Sequence, residues 1–135
     1  MEAFLPLRQK TALILGTGGA SKAVASALHK LDFEFKFVSR KKTTAGLLYS
    51  EMDQSIIENN FLIVNCTPLG TFPNITDCPP LPYQFLTKNH LLFDLIYNPA
   101  ETEFLKRGKM HGAQTTNGLK MLELQAEKAW EIWNS

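Results

Sequence analysis

Short apolar runs alternate along this chain with longer segments in which apolar and polar residues are mixed. Strands that are buried on both faces of a sheet show such continuous runs, without polar alternation. The runs cover residues 12–15, 35–38, 61–64 and 91–96, and a weaker one covers residues 113–116. The pattern therefore predicts four strands and a weaker fifth one.

The mixed segments between these runs have the composition of helices and contain no proline. They cover residues 21–31, 44–52 and 101–109. Because parallel strands need crossovers of about this length, the alternation predicts an α/β fold with repeated strand–helix–strand units. The stretch 66–90 breaks the alternation with five prolines and predicts a long loop, either functional or mobile, or else a plain spacer.

The segment 118–133 shows the strongest helical pattern in the chain. One apolar stripe comprises Leu119, Leu122, Ala126, Ala129, Trp130 and Trp133. Met121, Gln125 and Ile132 lie on a neighbouring arc, so the apolar surface is wider than contact with one sheet requires. Either this helix is deeply buried, or the second arc faces something outside these residues.

Composition restricts the class of protein further. The chain has 135 residues, 14 Lys and Arg against 13 Asp and Glu, and 44% apolar residues. This length predicts one domain over residues 1–135. The formal charge of +1 argues against a nucleic acid or a membrane surface as partner, because both attract a basic excess. The apolar runs are far shorter than the roughly 20 residues that span a bilayer, and the first ten residues do not resemble a signal peptide.

The cysteines and histidines predict neither a disulfide framework nor a metal site. Cys66 and Cys78 are too few for a disulfide scaffold and lack the spacing of zinc ligands. Free thiols and a reducing cytoplasm are therefore expected. His29, His90 and His111 show neither metal-ligand nor catalytic-triad spacing, and each is expected at the surface.

A glycine-rich turn directly follows the first predicted strand and opens the first predicted helix. In dinucleotide-binding folds the first glycine allows a tight turn, the second lets the backbone approach a pyrophosphate, and the third position is small. Such a turn with a purely structural role is the alternative, whereas a P-loop is excluded because no Gly-Lys-Ser/Thr follows. The expected cofactor-binding residues are Gly16, Thr17, Gly18, Gly19 and Ala20, with Ser21 in the third position. The order of strand, motif and helix predicts a three-layer, Rossmann-type, doubly wound parallel sheet.

The end of the second predicted strand bears on the choice of dinucleotide. An NAD site usually places a carboxylate there for the ribose 2′-OH, whereas a 2′-phosphate requires cations. Here Ser39 is followed by Arg40, Lys41 and Lys42. A solvated basic turn is the alternative, but the position of this cluster favours NADP over NAD.

Two further segments leave strands at the edge where ligands of open α/β sheets bind. Asn65, Thr67 and Pro68 follow the third predicted strand and are expected to line the cofactor, although Asn-x-Thr-Pro is also a common turn. Cys66 between them is expected to be a packing residue. Tyr97, after the fourth strand, either binds substrate or caps the sheet.

The motifs together resemble the C-terminal NADP-binding domain of shikimate dehydrogenases. They are GTGGASKA, SRK, NCTPLG, DLIYNPAETEFL and NGLKMLELQAEKAWEIW, in the family's order and spacing, and the resemblance covers residues 10–133. The combination of the last two motifs is far more specific than the glycine turn alone.

The resemblance implies roles for particular residues. The glycine turn would bind the pyrophosphate, and Leu95 and Gly118 would meet the nicotinamide amide through backbone carbonyls. Tyr97 and Gln125 would hydrogen-bond shikimate. The family's Asn-Arg-Thr clamp for the 2′-phosphate corresponds to Ser39, Arg40 and Lys41, of which only the arginine matches, and Thr44 stands where a further basic residue is usual.

The resemblance also implies a reaction, the NADPH-dependent reduction of 3-dehydroshikimate to shikimate. The family's catalytic Lys and Asp lie in an N-terminal domain without a counterpart here, and neither Lys22 nor Asp94 replaces them. No catalytic residue is therefore expected in this chain, which is expected to bind NADP(H) weakly and to be inactive alone. A homodimer is possible in the family. The alternatives are a quinate-type dehydrogenase that uses NAD, and a non-catalytic nucleotide-binding module.

Overall fold

The computed structural model describes residues 10–16, 18–41, 46–69, 76–95 and 101–117. Its six strands are β1 Thr11–Leu15, β2 Glu34–Ser39, β3 Leu47–Leu48, β4 Leu62–Asn65, β5 Leu91–Asp94 and β6 Gln114–Asn117. Its α-helices are α1 Gly19–Lys30, α2 Gln54–Glu58 and α3 Glu103–Met110, and two 3₁₀ turns lie at Tyr49–Glu51 and Tyr83–Phe85. The predicted helix 118–133 lies outside the described residues.

All six strands belong to one parallel sheet in the order β3-β2-β1-β4-β5-β6. β1 is central, and its Leu15 pairs with Val38 of β2 on one side and with Asn65 of β4 on the other. The chain adds β2 and β3 on one side of β1, and then β4, β5 and β6 on the other side. Doubly wound folds bind ligands at the point where the strand order reverses in this way. The predicted doubly wound parallel sheet is confirmed.

Helices and loops cover both faces of the sheet. Leu13 and Leu15 of β1 belong to a buried cluster with residues of α2 and α3. Ala12 and Ile14, which point to the opposite face, belong to a second cluster with Val24 and Leu28 of α1. This alternation explains why the strands are continuously apolar in sequence. The structure thus has the three layers that the sequence predicts.

Most predicted element boundaries are close to the observed ones. Strands β1, β2, β4 and β6 match their predicted runs to within one residue at each end. β5 ends at Asp94, so the prediction over residues 91–96 was too long at least at Leu95. Helix α3 begins two residues later than predicted, because the Thr102 hydroxyl accepts a hydrogen bond from Leu105 N at 3.4 Å and caps the helix.

The predicted helix over residues 44–52 is wrong within its described part, residues 46–52. Leu47 and Leu48 pair with Val38 and Ser39 as strand β3, and a 3₁₀ turn follows. The connection 40–46 is shorter than the roughly 10–12 residues of a helical crossover, so β3 pairs only with the last residues of β2. The helix starts later, at α2, where Asp53 Oδ1 accepts a hydrogen bond from Ile56 N at 2.9 Å.

The described part of the predicted loop 66–90 packs against the sheet. Leu81, Tyr83 and Leu86 are buried in the same cluster as the α3 residue Phe104. The Tyr83 hydroxyl donates a hydrogen bond to the Pro79 carbonyl at 2.6 Å, and its ring meets that of Phe104 edge-on. Residues 76–90 therefore contribute to the core of the domain.

His90 corrects another prediction, because it is buried rather than at the surface. Its Nδ1 accepts a hydrogen bond from Thr87 N at 3.0 Å, and its Nε2 lies 2.8 Å from the Ile57 carbonyl oxygen. An unprotonated Nδ1 leaves the proton on Nε2, so Nε2 donates to that carbonyl. His90 thus joins the start of β5 to the end of α2. His29 and His111 are exposed, as expected.

None of the helices in the described ranges is both long and apolar enough to span a bilayer.

Candidate functional site

The glycine turn after β1 meets the loop after β4 at the carboxyl edge, the side of the sheet where the strands end. Gly16 has a φ of 106°, which residues with a Cβ rarely adopt, and its N–H donates to the Val38 carbonyl at 2.8 Å. A Cβ at Gly16 would lie 3.3 Å from Thr67 Cγ2 and 3.4 Å from the Cys66 carbonyl. Glycine is therefore required here for both its conformation and its contacts.

The N-terminus of α1 opens at the same point. Gly18 is the N-cap, no side chain caps the helix, and its first turn contains no acidic residue. Among the described residues, no atom would lie within 4 Å of a Cβ at Gly18 or Gly19, and Ala20 is also exposed. The first N–H groups of a helix have no acceptor within it and attract anions. This end of α1 is therefore suited to a phosphate group.

Ser21 occupies the small third position of the glycine motif. It is buried, and its hydroxyl donates to the Gly18 carbonyl at 2.5 Å. This short side chain keeps the first turn of α1 close to the sheet, as the motif requires. Thr17 lies outside the described residues.

The cationic cluster after β2 lies at the same edge. The Ser39 hydroxyl donates to the Lys41 carbonyl at 2.6 Å and shapes the turn. Arg40 and Lys41 are exposed, and no carboxylate follows β2 where an NAD site usually has one. Lys42 lies outside the described residues. The described part of the turn thus presents two cations to solvent, as a 2′-phosphate requires.

A buried polar chain joins the ends of β4 and β5. Asn65 is fully buried, and its Oδ1 accepts hydrogen bonds from Thr67 N at 3.0 Å and Thr67 Oγ1 at 2.6 Å. Its Nδ2 donates to Asp94 Oδ2 at 3.2 Å. The Thr67 hydroxyl in turn accepts from Leu69 N at 3.2 Å. Asn65 therefore holds in shape the loop that Gly16 contacts.

The same series of buried hydrogen bonds continues into α3. The Thr102 hydroxyl donates to Asp94 Oδ2 at 2.6 Å and also caps α3 through Leu105 N. Asp94 and Thr102 are both buried. Neither residue was predicted as part of the site. A threonine two residues before the first apolar residue of a helix is the only local signal for this arrangement, since it marks an N-cap.

Cys66 is a packing residue in the structure. It is half-buried and packs against the α1-side cluster. Burial, and to a smaller extent the nearby Asp94 carboxylate, raise the pKa of the Cys66 thiol to about 12. The sulfur is therefore protonated at neutral pH, and its nucleophilic thiolate form is rare. Sequence reasoning assigned the same role.

The remaining predicted site residues are placed as follows. Pro68 is exposed on the loop after β4. Leu95 follows β5, and its N–H donates to the Asn65 carbonyl at 3.3 Å, so it lies beside the polar chain. Tyr97, Gly118 and Gln125 lie outside the described residues. Within the described ranges, no group of three or more His, Cys, Asp or Glu side chains could hold a metal ion.

Tyr49 is a residue of this edge that the sequence did not reveal. It follows β3 directly, and its side chain packs against the cluster on the α2 and α3 side. Its hydroxyl is buried and has no hydrogen-bond partner among the described residues. Because a helix was wrongly predicted over this segment, the sequence did not show that Tyr49 directly follows a strand and lies beside Arg40.

The strand order and the glycine turn define a Rossmann-type domain, and the turn lies between β1 and β4, at the point where such folds bind their ligands. Sequence and structure comparisons connect this domain with one family of enzymes. No family model matches the chain.

Curated relatives carry the name shikimate dehydrogenase (NADP(+)). The one from Methanococcus maripaludis is 38% identical over an alignment of 141 positions, which covers 94% of this chain and 50% of the relative. The one from Desulforamulus reducens is 35% identical over an alignment of 145 positions, which covers 92% of this chain and 49% of the relative. The chain therefore spans about half the length of the curated relatives it matches.

A solved structure of a shikimate dehydrogenase is also similar to this chain. The crystal structure of a shikimate dehydrogenase in complex with NADP+ superposes with a TM-score of 0.65 at 31% identity. It matches 93% of this chain and 49% of that protein. The resemblance to shikimate dehydrogenases is thus confirmed: the chain is homologous to one half of these oxidoreductases and has the fold of their NADP-binding domain.

Proposed function

We propose that this chain is the NADP(H)-binding half of a shikimate dehydrogenase, which interconverts 3-dehydroshikimate and shikimate. The observation that carries the proposal is the close approach of Gly16 to the Cys66 carbonyl and the Thr67 side chain at the point where strand order reverses. A glycine turn that contacts the loop after β4 in this way leaves the N-terminus of α1 open to a pyrophosphate. The names of the homologous enzymes supply the reaction and the cofactor.

The described residues divide the binding of NADP(H) between the two ends of the site. N–H groups at Gly18, Gly19 and Ala20 would bind the pyrophosphate, and Arg40 with Lys41 would pair with the 2′-phosphate. When bound, the nicotinamide supplies or accepts the hydride of the reaction.

The hydrogen-bonded polar residues at the ends of β4 and β5 would serve the nicotinamide end of the site. Asn65 and Asp94 fix the ends of β4 and β5, beside Leu95, whose carbonyl is proposed to meet the nicotinamide amide. Tyr97 and Gln125 remain the proposed contacts of shikimate, and Gly118 a second contact of the nicotinamide amide. A rigid support at this end would keep the nicotinamide in place beside the substrate.

The acid and base of the reaction are proposed to come from a part of the enzyme outside these 135 residues. Lys22 is exposed on α1, and Asp94 is buried and engaged by Asn65 and Thr102, so neither is suited to proton transfer with a substrate. The chain alone is therefore expected to bind NADP(H) weakly and to oxidise no shikimate. A cytoplasmic location and a homodimer remain predictions.

Calorimetric titration of the chain with NADP+ and with NAD+ tests the proposal. NADP+ should bind more tightly, and Arg40→Ala should weaken its binding by about tenfold or more, because a charge-assisted contact to phosphate is lost. Lys36→Ala, an exposed cation in the middle of β2, is the matched control and should leave both affinities unchanged. Absence of NADP+ binding would contradict the proposal, whereas tighter NAD+ binding would favour a quinate-type enzyme.

A further inference from the structure

Tyr49 lies at the carboxyl edge next to the main cation of the proposed 2′-phosphate site. Strand β3 pairs with β2 through Leu47 with Val38 and Leu48 with Ser39. Tyr49 and Arg40 each follow the last pair directly, so they lie side by side where the two strands end. Two parallel strands thus deliver a phenol and a guanidinium to one place.

The Tyr49 hydroxyl is exceptional among the buried polar groups of the described chain. Its oxygen is the only buried side-chain nitrogen or oxygen there without a hydrogen-bond partner. The other buried tyrosine hydroxyl on the same face of the sheet, that of Tyr83, donates to the Pro79 carbonyl at 2.6 Å. Proteins rarely leave a buried hydroxyl unpaired, because its desolvation is then uncompensated.

The surroundings of this hydroxyl favour a negatively charged acceptor. Burial raises the pKa of Tyr49 to about 12, the Arg40 charge acts against this rise, and Cys66 adds to it. The phenol is therefore protonated at neutral pH and acts as a donor.

We propose that the Tyr49 hydroxyl donates a hydrogen bond to the adenosine 2′-phosphate of NADP(H), beside Arg40. This inference rests on the proposed function and adds a specificity residue to its site. The hydroxyl is covered in this structure, whereas Arg40 is exposed. Formation of the bond therefore requires the groups that cover the Tyr49 hydroxyl to move aside.

Tyr49→Phe is the direct test, since it removes only the hydroxyl. Calorimetric titrations of the full chain use three probes, which are NADP+, NAD+ and adenosine 2′,5′-bisphosphate. The substitution should weaken NADP+ and the bisphosphate about tenfold, as expected for a hydrogen bond to a charged group, and should leave NAD+ unchanged. Unchanged affinity for the two phosphorylated probes, or an equal loss for NAD+, overturns the proposal.

Thermal unfolding gives the second readout. Tyr49→Phe should not lower the melting temperature, because the hydroxyl it removes is unpaired among the described residues. Tyr83→Phe is the matched control: it removes a paired hydroxyl, and should lower the melting temperature while leaving NADP+ affinity unchanged. A drop for Tyr49→Phe as large as that for Tyr83→Phe would show that the hydroxyl is a structural donor and would overturn the proposal.

The failure of this inference is distinguishable from failure of the proposed function. If NADP+ does not bind the unsubstituted chain, the proposed function fails. If NADP+ binds and Arg40→Ala weakens it but Tyr49→Phe does not, the proposed function stands and the role of Tyr49 is overturned.

Discussion

Asn65 and Asp94, 29 residues apart in the chain, are joined by a buried hydrogen bond of 3.2 Å between the amide and the carboxylate. They are paired neighbours in register at the last positions of β4 and β5. The bond therefore links two adjacent strand ends at the positions where the loops of the proposed cofactor site begin. A hydrogen bond between polar side chains is stronger in a low-dielectric interior, provided that every polar group of the network has a partner.

Asp94→Ala should strongly destabilise the domain. It removes the acceptor of both Asn65 Nδ2 and Thr102 Oγ1, and leaves these buried donors without it. We expect the free energy of unfolding in urea to fall by about 3 kcal/mol. Asp94→Asn, whose amide oxygen can still accept both bonds, should cost clearly less. Asp77→Ala, at an exposed position, is the control, and a loss for Asp94→Ala no larger than that of the control would contradict the network.

Gly16→Ala should impair both stability and cofactor binding. Its φ of 106° and the short contact to Thr67 Cγ2 predict a loss of stability of about 1–3 kcal/mol. Displacement of the turn should also weaken NADP+ binding in calorimetry.

Gly112→Ala is the matched control for this prediction. Gly112 has a φ of 91° but lies after α3, and in the described part of the chain only Lys88 N would lie within 4 Å of an added Cβ. It should lose stability and keep its affinity for NADP+. Equal loss of affinity in both variants would mean that the effect of Gly16→Ala comes from stability alone.

Burial of Cys66 predicts a loss of stability at high pH. Its pKa rises from its usual value near 9 to about 12 on folding, so between these values the unfolded state binds fewer protons than the folded one. Stability is therefore present in full below about pH 9 and falls as the pH rises towards 12. Urea unfolding at pH 7 to 11 should show this fall, and Cys66→Ala should reduce it. An identical pH profile for the variant would contradict the assignment.

His90→Ala should cost about 3 kcal/mol of stability, because it leaves Thr87 N without its acceptor and removes one of the two hydrogen bonds of the Ile57 carbonyl, which Asn60 N still partners. The measurement is again urea unfolding at neutral pH. His111→Ala, at an exposed position, should change stability by less than about 0.5 kcal/mol. Similar small effects for both histidines would show that the His90 bonds contribute little.

The parts of the fold that the sequence predicted depend on local pattern. Strand β1 is continuously apolar because both faces of the central strand are covered, and Gly16 follows it because the turn requires a positive φ. Such features are visible within a window of a few residues. The same holds for Cys66, whose lack of a basic neighbour predicted a packing role.

The parts that it missed depend on contacts between distant residues. His90 is buried because the Ile57 carbonyl, 33 residues away in the chain, offers it a partner. Asp94 belongs to the site because the sheet brings it beside Asn65. Leu47 and Leu48 form a strand because β2 offers them an edge, although their segment has helical composition. No local pattern encodes these partners.

The most direct test of the account is a two-dimensional ¹⁵N–¹H spectrum of the labelled chain recorded during a titration with NADP+. The amide signals that shift most should belong to Gly16, residues 18–20, residues 39–41, residues 65–67 and Leu69, all at the carboxyl edge. Signals of Gly112 and of the C-terminal turn of α3, which lie away from the strand ends, should not move. Shifts confined to other regions, or no shifts at millimolar NADP+, would contradict the claim that this edge is a dinucleotide site.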